Sequence, residues 1–352
     1  MVSSSAATIE RSAFEGSRVR IQSLFFVLLV IATLIPFLFV PVAANFHADA
    51  RSILLITSLL TFLGGDGHVG LTYFFYTDRK FREFFRSRRR RYYYVPFCLI
   101  IGSAFVYQYG SIAARAYLLL GYFAWQTYHY QRQNYGILSF VGVVTGTGRV
   151  HWSERAVLDL AVFSGILGLI RILGLGQDTF LSSYEDLLFQ TGLNVLYLLP
   201  AVFISSLFFG RALRNKLRFG FLLLSVVFYV PTFIFSDPSS AIMGYALAHG
   251  MQYYVFMYFM GSNQTLLSRN IIRLMILVGA CVLVGGALTQ MRYAGVWGSY
   301  KNGIFGACLG FVMVHFVIDA GVWRLKEPFQ RGYIQNSFAF LFTPPSEKDP
   351  AR

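Results

Sequence analysis

Long apolar runs, separated by short polar and basic segments, dominate the chain. Ten of them approach the roughly 20 apolar residues that a bilayer core about 30 Å thick demands of a helix: 21–43, 53–76, 95–109, 111–131, 156–174, 187–209, 218–235, 240–261, 271–290 and 303–323. The pattern predicts an all-α, polytopic integral membrane bundle of about ten transmembrane helices. The run at 95–109 is short, and the helix begun at 111 can continue through Gly136–Val144 as a bent or interfacial extension. The first run is too long for a cleaved leader and lacks a small-residue cleavage pattern, so it reads as an uncleaved span. Residues 19–331 then form one transmembrane domain, flanked by cytoplasmic tails at 1–18 and 332–352.

Composition narrows the picture. Of 352 residues, 56% are hydrophobic and only 13% charged, whereas a soluble domain is about 25% charged. An aromatic share of 18% excludes a disordered chain. The net charge of +14 is unevenly spread. With the N-terminus in the cytoplasm, ten crossings put 25 of the 30 basic residues on the cytoplasmic side, as the positive-inside bias requires. The opposite face holds Asp49, Asp178, Glu185, Asp186 and Asp237. The basic cluster at 79–91, followed by Tyr92, Tyr93 and Tyr94, reads as an anchor for anionic lipid headgroups rather than a nucleic-acid patch. The expected location is the bacterial inner (plasma) membrane. Cys98, Cys281 and Cys308 show no paired spacing, so neither a disulfide framework nor a thiolate metal site is indicated.

Ionisable groups inside a span cost on the order of 2.5–3.5 kcal/mol, so each needs a reason. His47 and His151 fall in loops. His68, His129, His249 and His315 fall inside the second, fourth, eighth and tenth spans, which all run in the same direction. They sit roughly 14–27 Å below the outer surface at 1.5 Å per residue. Polar companions lie at helical spacing: Asp319 four residues after His315, Gln252 three and Tyr253 four after His249, and Gln133 four after His129. His68 stands in GGDGHVGLTYFF, where three glycines loosen the helix; Asp66 lies two residues before it and Thr72 four after.

A neutral imidazole can bind a metal through one nitrogen while the other is held by a carboxylate or amide. Four imidazoles without a thiolate suit Fe2+, with Zn2+ or Cu2+ as alternatives. A polar packing network or a proton path uses the same residues. Asp66 is open between orienting partner, direct ligand and helix-break cap, whereas Asp319 reads as an orienting partner, with Gln133 and Gln252 beside it. Tyr73, Tyr128, Tyr130, Tyr253 and Tyr254 are candidates to line a slot for a long apolar substrate.

The stretches DGHVGL, TYHYQRQNYG, LAHGMQYY and VMVHFVID, in this order along the chain, resemble those of the Brp/Blh-type membrane β-carotene dioxygenases. The segment at His249 has Tyr253 in the vicinity of a further histidine that this family leads one to expect. The resemblance implies iron held by His68, His129, His249 and His315, with O2 as co-substrate and a lipophilic polyene or other long-chain substrate. Histidine-box desaturases are excluded, because their H-x-x-x-H and H-x-x-H-H clusters are absent. Two other classes use some of the same residues. One is a membrane acyltransferase with His249 as general base; the other is a proton-coupled transporter with Asp66, Asp319 and the histidines as relays.

Overall fold

The computed structural model describes residues 19–34, 37, 58–262, 271–293 and 295–342, and among them every regular element is a helix. Helix α1 (Val19–Leu34) comes first, then α2 (Gly67–Thr72), preceded by a π-turn at Phe62–Asp66 and followed by a 3-10 turn at Tyr73–Tyr76. The Asp78 carboxylate accepts from the Lys80 and Phe81 N–H groups and starts α3 (Arg79–Ser87). Helix α4 (Val95–Tyr109) stops at Gly110, and Ser111 caps α5 (Ile112–Val144). Helix α6 (Trp152–Ile172) opens on a reciprocal cap between His151 and Glu154. Next come α7 (Glu185–Phe209), α8 (Lys216–Val227, capped by Asn215), α9 (Pro231–Ile234) and α10 (Pro238–Ser262). Helices α11 (Ile271–Gly279) and α12 (Gly286–Tyr293) are joined by a π-turn at Ala280–Gly285. The last two are α13 (Lys301–Val322) and α14 (Pro328–Ser337).

Among the described residues, four helical stretches are long and apolar enough to cross a membrane: Ser182–Phe209, Lys216–Ile234, Ile272–Met291 and Gly298–Val322. Helix α5 is one unbroken element of 33 residues, about 50 Å long, so the expected extension beyond 131 is the same helix. Its polar load (Arg115, Gln126, Gln131, Arg132, Gln133, Asn134) depresses its hydropathy. Outward faces are apolar elsewhere: Phe97, Ile101, Phe105 and Tyr109 recur every four residues along α4 and are all exposed. The expected N-terminal tail, most of 35–43 at the end of the first span, 53–57 at the start of the second and residues 343–352 lie outside the described residues.

The direction of the helices can be read from side-chain and backbone pairings. Gly64 meets Leu247, His68 meets His249, and Thr72 meets Tyr253, so the His68 segment runs parallel to α10. Tyr130 meets Tyr245, Gln133 meets Gln252, and Phe140 meets Phe256, so α5 is parallel to α10 as well. In α13, Gly306 packs on Ser103 and Gly310 on Ile100, which makes α13 antiparallel to α4. Because α4 reverses at Gly110–Ser111 into α5, all four histidine-bearing segments point the same way.

One boundary needs correcting. The segment from 332 to Phe342 is not a tail: Ile334, Phe338, Phe340 and Leu341 are buried, and the Phe25 ring lies 5.2–5.8 Å from those of Phe256, Phe259, Phe338 and Phe340. Its apolar residues are too few for a span, but as aromatics they bury a large area each.

Candidate functional site

The four span histidines converge. Their rings form a four-membered circuit: His68–His249, His249–His129, His129–His315 and His315–His68, with centroids 4.8, 4.9, 4.8 and 4.8 Å apart. The His249–His315 diagonal is 6.3 Å. All four are buried, His249 and His315 completely.

Glycine makes this approach possible. A Cβ on Gly250 would stand 2.6 Å from the Leu63 carbonyl oxygen, and one on Gly285 would stand 2.6 Å from the Gly67 Cα. The glycines around His68 therefore admit neighbouring backbones on two sides rather than loosening the helix. The π-turn just before α2 is the local irregularity, a feature frequent at functional sites.

Hydrogen bonds set the state of His315. The Tyr253 hydroxyl donates to Asp319 Oδ1 at 2.9 Å, Thr72 Oγ1 lies 3.0 Å from that hydroxyl, and His315 Nδ1 lies 2.5 Å from Thr72 Oγ1. A carboxylate only accepts. With the Asp319 carboxylate ionised, Tyr253 donates to it, Thr72 donates to Tyr253, and the proton between Thr72 and His315 sits on Nδ1. That leaves the His315 Nε2 lone pair free to accept, from His129 Nε2 at 3.1 Å or from a cation. Two nitrogens each about 2.0–2.1 Å from one ion, at tetrahedral or square angles, stand about 2.9–3.4 Å apart.

His68 and His249 complete the contrast. Neither ring nitrogen of either residue has a hydrogen-bond partner among the described residues; the Gly64 carbonyl one turn back approaches His68 without reaching hydrogen-bond geometry. A ligand nitrogen from each of His68, His249 and His315 falls within 4.8 Å of the others, and His129, His315 and Asp319 form a second such group. The Asp319 carboxylate lies 3.7 Å from His315 Nδ1 and 3.9 Å from His129 Nε2, beside two of the imidazoles.

The remaining candidates divide. Gln133 donates to the His249 carbonyl at 3.0 Å and to Gln252 Oε1 at 2.8 Å, while Gln252 donates to Thr33 Oγ1 at 2.8 Å. These amides hold the backbones of α1, α5 and α10 together and do not touch the rings. Asp66 makes no side-chain cap and accepts from Thr289 Oγ1 at 2.9 Å. Two residues from His68, it faces another side of the helix and ties α12 to the bundle. Tyr130 packs on His249 with centroids 4.3 Å apart, and Tyr253 lies 5.4 Å from His315. Tyr254 meets Cys281, and Tyr73 stacks on Tyr76 while reaching the Phe311 carbonyl. Tyr128 is 46% exposed and points outward, on the far side of α5 from the site. His151 is a helix cap, and His47 lies outside the described residues.

Two features were not anticipated as functional parts. Thr72, an unremarkable hydroxyl in an apolar run, sets the His315 proton. Phe316, next to His315, lies over His129 at 4.7 Å.

A second buried polar cluster joins Glu154 and Arg218, both with no exposed surface. Arg218 uses all five donors: Nε and Nη2 on Glu154 at 2.9 and 2.5 Å, Nη1 on Thr147 Oγ1 and the Gly148 carbonyl, and Nη2 on the Arg149 carbonyl. Glu154 also accepts from the backbone N–H groups of His151 and Arg211. Burial pushes the Glu154 carboxyl up, but Arg218 and those two N–H groups outweigh it and hold the group below its ordinary value. Arg218, counted by the sequence only among the basic residues of the cytoplasmic side, is thus a core residue.

No protein-family model matches the chain, and no curated protein or solved structure matches it significantly.

Proposed function

We propose that this is a membrane-embedded, histidine-ligated metal oxygenase that uses O2 on a carotenoid-like or other long-chain lipophilic substrate. The observation that carries the reading is the convergence of four buried imidazoles, two of which leave all their nitrogens without partners. A buried polar atom left unpaired costs on the order of 1–3 kcal/mol, and a cation among the rings, bound through one nitrogen of each, removes that cost once at His68 and once at His249.

The donor set fits a first-row divalent metal, Fe2+ ahead of Zn2+ or Cu2+, held by His68, His129, His249 and His315. Bound there, iron supplies the activation of O2, which imidazoles alone cannot. The chain's own residues supply the rest. Thr72, Tyr253 and Asp319 keep the His315 Nε2 lone pair turned inward. Tyr130 and Phe316 wall the rings and exclude water. The apolar outer faces admit a lipophilic substrate laterally from the bilayer. The ten-crossing topology with cytoplasmic termini, in a bacterial inner membrane, belongs to the same proposal, as does the likeness to the Brp/Blh-type dioxygenases.

Metal analysis of the purified protein tests it, repeated after single alanine substitutions at His68, His129, His249 and His315. Near-stoichiometric metal, lost in several variants, is expected. Protein without stoichiometric metal overturns the reading, and activity lost at His249 alone would point to general-base chemistry. Incubation with a carotenoid and isotopically labelled O2 should place label in the carbonyl groups of a cleavage product.

A further inference from the structure

A cavity of about 390 Å3 opens where the C-terminal end of α5 meets the turn into α14, lined by Arg149, Lys326 and Arg331 over an apolar wall of Val143, Leu325 and Phe342. No carboxylate lines it, and none of the three cations forms an ion pair among the described residues. The neighbouring cavity, about 480 Å3, is balanced: Lys80 and Arg88 line it together with Glu83 and Glu327, and Arg88 lies 3.6 Å from Glu327. The Arg149 backbone is held by Arg218 through its carbonyl, and Arg331 donates to the Lys326 carbonyl at 3.2 Å. Three cations held around one space repel each other, and an anion between them converts that repulsion into attraction.

We infer that this cavity binds the phosphate of an anionic phospholipid, with an acyl chain along Val143, Leu325 and Phe342. A free phosphate shares the headgroup chemistry but leaves the apolar wall unused. The basic bias places this end of the bundle at the leaflet where anionic lipids concentrate. The site is separate from the histidine cluster, so it stands or falls independently of the oxygenase reading.

Native mass spectrometry of the full chain, exchanged into phosphatidylglycerol or phosphatidylcholine, reads the site directly. The triple variant Arg149→Gln, Lys326→Gln, Arg331→Gln should retain phosphatidylglycerol about 10–100-fold less well. A control that removes equal charge outside both this cavity and the 79–91 cluster, Arg214→Gln, Lys216→Gln, Lys301→Gln, should change retention less than about twofold on the same scale. Equal losses in the two triples mean diffuse attraction and overturn the site. Displacement of the lipid by inorganic phosphate assigns the cavity to free phosphate and overturns the lipid assignment. Unchanged unfolding temperatures confirm that both triples fold.

Discussion

Two polar clusters are buried in this bundle, and they are built on opposite rules. Around Arg218 every donor is used and Glu154 is met from four directions. Around His68 and His249, four ring nitrogens are desolvated with no partner. A saturated cluster explains itself: it locks the loop at 145–151 to the starts of α6 and α8. An unsaturated one is costly to the fold alone, and a water or an ion bound there lowers that cost. The difference separates a structural polar core from a candidate site without appeal to any relative.

The sharpest way to break this comparison is to remove one partner of the saturated pair. Glu154→Gln strands a buried guanidinium and should cost about 3–5 kcal/mol of stability, read by chemical unfolding in micelles, with metal content per folded molecule unchanged. The pH dependence follows from the same pair. Because the folded-state pKa of Glu154 is depressed, its stabilisation is present above the ordinary carboxylate range and is lost as pH falls through the folded value. The acid limb of the stability curve should flatten in Glu154→Gln; an unaltered limb would show that another group dominates it.

Tyr253→Phe comes next. It removes the donor to Asp319 and the acceptor that orients Thr72, so His315 is no longer confined to one tautomer. Metal affinity, measured by chelator competition, should fall about 10–100-fold, while metal-free stability changes by about 1 kcal/mol. Unchanged affinity would mean that the hydrogen-bond chain does not set the ligand nitrogen.

The smallest effect has the opposite sign. His249→Leu replaces two unpaired nitrogens by an apolar side chain of similar size. The chelated protein should become more stable by about 1 kcal/mol, although the variant binds metal poorly. A loss as large as that of Glu154→Gln would erase the distinction between the clusters.

How much was legible beforehand depends on the kind of signal. The four histidines stand out because an imidazole in an apolar run is expensive wherever the chain goes. Their common direction follows from counting apolar runs, although only four described helices are long and apolar enough to cross a membrane. Asp319 and Tyr253 were within reach because i+4 spacing puts them on the face of their histidines. Asp66 shows the limit of adjacency: two residues along a helix is roughly 200° around it, and the carboxylate turns to Thr289 instead. Tyr128 fails likewise, since its neighbour His129 takes the inner face. Thr72 stood out as a polar companion of His68 at i+4 but pairs with His315 instead, and Phe316 carries no composition signal. Arg218 could not be told from a headgroup arginine, because its partner stands 64 positions away.

Helicity and apolar outer faces follow from the pattern of the chain, and four imidazoles in apolar runs call for a common justification, because a polar group moved from water into an apolar medium costs free energy until it finds a partner. Which nitrogen of His315 faces inward and which charges are internal follow from packing alone. Those outcomes rest on contacts of about 3 Å between residues far apart in the chain, a distance over which helical periodicity carries no information.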